Sequence, residues 1–129
     1  MRLTFAEYLK FDRAAEGRHE YFNGEMFVMS SASPQHSMIN VNVGGEISGM
    51  LKNRPCTAFG SDLRILVAPT GLYTYPDISV VCDELEYDDD QHDTVLNPTL
   101  LIEVLSDSTE AYDRGKKFTH YRRIAALRE

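Results

Sequence analysis

The sequence YPDISVV at residues 75–81 decides the fold together with LLIEVL at residues 100–105. Each stretch is a short apolar run rich in β-branched residues, which is typical of a buried strand. Each also carries one acid, Asp77 in the first run and Glu103 in the second. A carboxylate buried among apolar residues is costly unless a partner compensates its charge. A divalent cation shared by both acids is one such partner.

The rest of the chain predicts an α/β (α+β) domain, in which helices flank one mixed β-sheet. Capping signals and apolar residues at three- and four-residue steps indicate helices at about 5–17, 34–52 and 113–124. Asn23-Gly24 indicates a tight hairpin. The predicted strands cover about 18–22, 25–29, 56–59, 63–67, 77–82 and 99–105. Residues 68–74 and the acidic stretch 83–93 are predicted to be loops.

Length and composition indicate one globular domain: the chain has 129 residues, 43% of them hydrophobic and 26% charged. It contains neither an apolar run of membrane-spanning length nor a signal-peptide pattern, so we expect a cytoplasmic protein. A net charge of −7 argues against a non-specific DNA-coating protein. It does not exclude a nuclease, because a local basic patch can still hold phosphates. Cys56 and Cys82 match no zinc spacing and are predicted to be reduced, buried thiols.

Asp77, Glu103 and Lys117 together match the needs of phosphodiester hydrolysis with magnesium. That reaction needs carboxylates to hold the metal and a cation near the attacking water or the phosphate. Lys117 lies one helical turn before Tyr121, so a helix packed on the sheet can bring it to the acids. In the alternative interpretation, Asp77 caps a turn and Glu103 pairs with an arginine, either Arg64 or Arg114.

Three further residues are candidates for the same site. Glu20 and Glu25 flank the hairpin turn, and either is a candidate for a further metal ligand or a water-positioning acid. The alternative is that both are exposed acids paired across the hairpin. His36 stands at the start of the second helix, where a phosphate contact is plausible. Lys116 is the solvent-facing alternative to Lys117.

Several motifs of this chain occur together in a known family. These are Tyr75-Pro76-Asp77, Ile102-Glu103-Val104-Leu105-Ser106 with Ser108-Thr109, and Asp113-Arg114-Gly115-Lys116-Lys117-Phe118 with Tyr121. Glu20, Gly24-Glu25, Met29, Ser33 and His36 precede them in the expected order. The sequence thereby resembles the Uma-type restriction endonuclease family, a bacterial branch of the PD-(D/E)XK nuclease superfamily, over nearly its whole length.

The resemblance implies a restriction-endonuclease-like core, a mixed sheet flanked by helices, and DNA as the substrate. It also implies a magnesium-dependent site, with Mn²⁺ as the alternative ion. Asp77 and Glu103 would be the metal ligands. Lys117 would be the catalytic lysine, moved from the strand to the following helix, and Glu25 and His36 would be further site residues.

In that family the chain continues past the Tyr121 helix into at least one more strand. We therefore expect a C-terminally truncated domain with an exposed sheet edge, and a homodimer formed through that edge. The alternative to an enzyme is a non-catalytic nuclease-fold module for binding or assembly, which the acidic surface favours.

Overall fold

The computed structural model of the chain describes residues 2–29, 33–105 and 113–129. Its helices are α1 (Phe5–Ala14), α2 (Pro34–Met50) and α3 (Phe118–Tyr121), and a π-helical turn (Asp113–Lys117) leads directly into α3. Its strands are β1 (His19–Phe22), β2 (Glu25–Val28), β3 (Thr57–Phe59), β4 (Arg64–Val67), β5 (Leu72–Thr74), β6 (Ile78–Val81), β7 (Thr94–Val95) and β8 (Leu100–Ile102). The predicted α+β class with helices flanking mixed β-structure is confirmed.

The strands form two sheets, where the sequence predicts one. The larger sheet has the order β2-β1-β5-β4-β7 and is mixed, because β4 and β7 run parallel while its other pairs are antiparallel. The smaller sheet has the order β3-β6-β8 and is antiparallel. Residues 72–74 were predicted as loop but form β5, since a tight turn at Gly71 (φ 82°) pairs Leu72 with Val67. The chain crosses from the larger to the smaller sheet between β5 and β6.

The N-terminal elements form for the reasons that the sequence indicates. Thr4 Oγ1 accepts a hydrogen bond from Glu7 N (3.1 Å), and Glu7 Oε1 accepts one from Thr4 N (2.9 Å), which completes the capping box of α1. Asn23 and Gly24 both have positive φ, 52° and 85°, as a two-residue hairpin turn requires. The predicted first helix and hairpin are therefore confirmed.

Helices α1 and α3 pack on opposite faces of the larger sheet. Successive residues of a strand point to opposite faces. On β4, Leu66 belongs to a cluster with Tyr8 and Leu9 of α1, whereas Val67 belongs to a cluster with Tyr121 of α3. Phe22 of β1 packs on the α3 cluster as well. The α3 face is the one that carries the candidate site.

The acidic segment is a loop, as predicted, but it is tied to the rest of the domain. Arg13 of α1 contacts Asp89 Oδ2 at 2.9 Å and Asp93 Oδ2 at 2.8 Å. Tyr73 donates a hydrogen bond to Asp88 Oδ2 at 3.3 Å. Arg13 therefore holds the pKa of the Asp93 carboxyl at about 2, below its usual range.

The cysteine prediction is wrong, because Cys56 and Cys82 form a disulfide. The register of the smaller sheet pairs Thr57 with Val81, so the residues just outside this pair face each other across β3 and β6. The 26-residue separation in sequence does not reveal this pairing.

The outer edge of β8 carries hydrogen bonds from the end of the described chain. Arg128 N donates to Thr99 O at 2.7 Å, and Leu101 N donates to Glu129 O at 2.9 Å. Among the described residues, none of the helices has the length and apolar character needed to cross a bilayer.

Candidate functional site

The side chain of Lys117 lies buried between two carboxylates. Its Nζ is 3.3 Å from Glu20 Oε2 and 3.7 Å from Glu103 Oε1, and the residue is only 4% exposed. Lysine is rarely buried to this extent unless it is paired. Three separate elements supply the groups: β1 carries Glu20, Glu103 directly follows β8, and Lys117 ends the π-helical turn.

Strand pairing in the larger sheet positions Glu20. The β1–β5 register pairs Tyr21 with Tyr73 and therefore places Glu20 opposite Thr74. Thr74 Oγ1 donates a hydrogen bond to Glu20 Oε2. The hairpin pattern alone left Glu20 and Glu25 as equal candidates, and the family resemblance implied Glu25. Strand alternation distinguishes Glu20, because it shares a face with Phe22 and so points toward α3.

Glu25 lies apart from this cluster. It pairs with Phe22 at the turn end of the hairpin, and its side chain is exposed. A role for Glu25 stays a prediction.

Asp77 accepts hydrogen bonds at both carboxylate oxygens. Asn40 Nδ2 donates to Oδ1 at 3.1 Å, and the backbone N–H of Val104 donates to Oδ2 at 2.7 Å. His36 Nε2 lies 3.6 Å from Asp77 Oδ2 and 2.9 Å from the Val104 carbonyl oxygen. Because a carbonyl oxygen only accepts, we assign a hydrogen to Nε2, which donates it to the Val104 carbonyl.

The register of the smaller sheet brings the two metal-ligand candidates together. Ile78 pairs with Ile102 in an antiparallel ladder. The residues that extend this pairing beyond the two strands are Asp77 and Glu103, which therefore lie opposite each other. Facing residues in such ladders have Cβ atoms about 5 Å apart. The structure thus gathers five of the predicted residues around the point where the chain leaves one sheet for the other, namely Asp77, Glu103, Lys117, Glu20 and His36.

Tyr121 is a further residue of the cluster. From the sequence it was predicted only as an aromatic residue on the inward face of its helix. Its hydroxyl donates a hydrogen bond to Glu103 Oε1 at 2.7 Å, and the residue is 7% exposed. Burial raises the pKa of the phenol well above its usual value, and the charge of Glu103 adds to this rise. Tyr121 is therefore a neutral donor that fixes the orientation of Glu103.

Arg64, proposed as an alternative partner for Glu103, belongs to a second buried cluster on the α1 face. Its Nη2 lies 2.7 Å from Asp12 Oδ2, and Tyr75 also donates a hydrogen bond to that oxygen. Burial raises the pKa of Asp12, but hydrogen bonds from Tyr75 and Arg64 outweigh it and hold the pKa below its usual value. The predicted Glu103–Arg64 pairing is therefore wrong. The Arg114 side chain lies outside the described part of the chain.

The donor set suits a hard divalent cation. In the part of the chain that the structure describes, no group of three His, Cys, Asp or Glu side chains has metal-binding spacing. Magnesium, however, is commonly held by one or two carboxylates together with water and substrate phosphates. Facing carboxylates at 77 and 103 match that chemistry.

Comparison with known proteins identifies relatives over most of the chain. A protein from Synechocystis sp. (strain ATCC 27184 / PCC 6803 / Kazusa), slr1290, is 41% identical over 120 residues, which are 93% of this chain and 62% of the relative. A second protein from that strain, sll1609, is 35% identical over 127 residues, 98% of this chain and 72% of the relative. Both carry the name "uncharacterized protein".

A solved structure has the same fold. It is the crystal structure of "a putative nuclease belonging to DUF820" from Anabaena variabilis ATCC 29413, with a TM-score of 0.74 and 25% sequence identity. The match covers 92% of this chain and 66% of that one. The chain thus spans about two thirds of the length of the proteins it matches.

The model of the Uma2 family, described as "Putative restriction endonuclease", matches residues 5–129. This match takes in β1, the strand-crossing segment that ends at Asp77, and the helix that follows Lys117. The chain belongs to the Uma2 family.

Proposed function

We propose that this chain is a metal-dependent nuclease that hydrolyses phosphodiester bonds in DNA. The observation that carries the proposal is the buried Lys117 ammonium between Glu20 and Glu103, with Asp77 opposite Glu103. A buried cation and three acids on strand ends form the constellation expected for metal-assisted phosphoryl chemistry. Family membership and the fold of the Anabaena neighbour support the same reaction class.

Asp77 and Glu103 would hold Mg²⁺ or Mn²⁺ as the metal ligands. When bound, such an ion polarises the phosphate and lowers the pKa of the attacking water. The Asn40 amide and the Val104 N–H fix Asp77, and the Tyr121 hydroxyl fixes Glu103. Both carboxylates are therefore oriented before substrate arrives, which reduces the reorganisation needed during reaction.

Lys117 would donate hydrogen bonds to the attacking water or to a non-bridging phosphate oxygen. Its ammonium is held by Glu20 on the side of the larger sheet and by Glu103 on the side of the smaller sheet. A buried cation acts where charge develops on the phosphate, with less screening than at the surface. Glu20 would keep this ammonium charged and aimed at the acids.

His36 would act beside Asp77. Its Nε2–H is engaged with the Val104 carbonyl, and its Nδ1 is buried with no hydrogen-bond partner among the described residues. Nδ1 is therefore the nitrogen left to accept a proton or a hydrogen bond from substrate or water.

The test compares two neighbouring lysines. Lys117→Met removes the buried ammonium, and Lys116→Met removes an exposed one that the sequence offered as the alternative. We expect Lys117→Met to lower kcat/KM for DNA with Mg²⁺ by about 100-fold or more, while Lys116→Met stays close to wild type. Circular dichroism checks that both variants fold. Wild-type activity in Lys117→Met would contradict the assigned role, and a wild type inactive with both Mg²⁺ and Mn²⁺ would contradict the function.

A non-catalytic binding module is the second candidate, favoured by the net charge of −7. Titration calorimetry with Mg²⁺ and Mn²⁺ distinguishes the two proposals. A nuclease should bind the ion, and Asp77→Asn and Glu103→Gln should each weaken that binding. A module should bind neither ion. The expected homodimer stays a prediction, which sedimentation analysis would check.

A further inference from the structure

A groove of about 500 Å³ lies between α2 and the smaller sheet and includes Asp77 in its wall. This volume is within the range of about 300–1,000 Å³ that small-molecule sites occupy. The groove adjoins the proposed catalytic acids without containing Glu103 or Lys117. Its wall consists of residues from α2, β3, the β3–β4 turn and the start of β6, among them Asn40, Gly44, Gly45, Ser61, Asp62 and Asp77.

The charge of the wall disfavours an anionic occupant. Among the described residues, the wall contains two carboxylates, Asp62 and Asp77, and no lysine, arginine or histidine side chain. Arg18 lies beside the wall, but its guanidinium donates to the Ser61 carbonyl oxygen at 2.6 Å, so a phosphate in the groove would meet the two carboxylates directly. The other wall residues are small, polar or apolar, and the glycines leave open space, since a Cβ added at Gly45 would meet no atom within 4 Å. A neutral group with hydrogen-bond donors suits this wall.

Asn40 supplies an acceptor for such a donor. Its Nδ2 donates to Asp77 Oδ1 at 3.1 Å, whereas its Oδ1 is buried with no hydrogen-bond partner in the described part of the chain. Buried polar atoms are normally paired. The amino groups of adenine, cytosine and guanine are neutral donors of the required kind.

We propose that this groove binds a nucleobase and that, during cleavage, it holds the base of the nucleotide next to the scissile phosphate. The second half rests on the proposed nuclease function, because it places the phosphate at Asp77 and Glu103. A base can enter such a groove only after it leaves the duplex stack. The substrate would therefore be single-stranded or locally unpaired DNA.

The test begins with binding alone, without metal. Deoxyadenosine is titrated into the protein while the backbone amide signals of Gly44, Gly45 and Ser61 are followed by NMR. Inorganic phosphate is titrated in the same way. Gly45→Leu fills the groove, and Gly49→Leu is the matched control, because Gly49 lies on α2 outside the groove wall and is equally open.

We expect deoxyadenosine, and not phosphate, to shift the groove amides. Gly45→Leu should weaken that binding by about 10-fold or more, a loss that corresponds to excluding the ligand from most of its site. Gly49→Leu should bind like the wild type. The proposal is overturned if deoxyadenosine leaves these amides unchanged, if phosphate shifts them instead, or if both variants bind equally.

Cleavage assays then test the second half. With Mg²⁺ we expect a single-stranded oligonucleotide to be cleaved at least about 10-fold faster than its duplex, since the duplex must first be unpaired. Gly45→Leu should lower kcat/KM for the oligonucleotide relative to that for bis(p-nitrophenyl) phosphate, which has no base. Equal loss on both substrates overturns the base-binding role. Base binding in a protein that cleaves neither substrate supports the groove and overturns the nuclease function.

Discussion

Asp12→Asn should strongly destabilise the fold while keeping the shape of the side chain. The side chains of Asp12 and Arg64 are 1% and 5% exposed, so neither has water to replace a lost partner. Removing one member of a buried ion pair typically costs about 3–5 kcal/mol. Asparagine still accepts one hydrogen bond, so we expect about 3 kcal/mol, a large part of the 5–15 kcal/mol typical of a domain.

Urea denaturation at neutral pH, followed by circular dichroism, measures this loss. The matched control is Asp90→Asn, which removes the same charge from an exposed position in the acidic loop and should change the free energy of unfolding by less than about 0.5 kcal/mol.

The pH dependence gives a second measurement of the same interaction. The pKa of Asp12 is lower in the folded protein than its usual value. The stabilisation by the Asp12 carboxylate is therefore complete above a pH of about 3.9, which is the pKa of an aspartate in the unfolded chain. It is lost as the pH falls through the lower pKa of Asp12 in the folded protein. The difference between wild type and Asp12→Asn should shrink below about pH 4. A difference under about 1 kcal/mol at neutral pH, or one that acid leaves unchanged, would refute the assignment of a stabilising buried ion pair.

Three further predictions concern single interactions. Tyr121→Phe should lower the free energy of unfolding by roughly 1.5–3 kcal/mol, measured in urea, because Glu103 loses a buried hydrogen-bond donor; an unchanged stability would contradict that contact. Reduction of the Cys56–Cys82 disulfide, whose cysteines are 26 residues apart, should lower the free energy of unfolding by roughly 3.5 kcal/mol from the unfolded-chain entropy alone, and the Cys56→Ser variant should not respond to the reductant. Burial raises the pKa of Tyr75, and its hydrogen bond to Asp12 adds to the rise, so stability in urea should fall as the pH rises above about 10; a Tyr75→Phe variant that loses as much stability over that pH range would contradict this.

Local signals predicted most of the elements correctly. The capping box at Thr4, the Asn23-Gly24 turn and the Ser33 cap before α2 all act through neighbouring residues, so the sequence contains their full cause. Strands β5 and β7 were missed because they are only three and two residues long. They also pair with strands that are distant in sequence, β5 with β1 and β7 with β4. The disulfide was missed for the same reason, since only the register of β3 and β6 brings its cysteines together.

The sequence predicted the site residues whose burial would be costly without a partner. Acids in the runs that contain Asp77 and Glu103 need partners, and the structure provides a partner for each. The choice of Glu20 over Glu25 required knowledge of which strand face meets α3. Asn40 carried no signal, because an asparagine on a helix is ordinary. The roles of these residues in catalysis stay predictions that the experiments above address.

The cation of this site comes from a segment that is separate from the strands carrying its acids. Lys117 ends a π-helical turn next to a helix of only four residues, whereas Glu20 lies in the larger sheet. Short peripheral helices open more readily than paired strands. Undocking this helix would leave the acids without their ammonium while both sheets stay intact. The energy needed to detach one short helix would then set the fraction of molecules in which Lys117 lies between Glu20 and Glu103, independently of the stability of the whole domain.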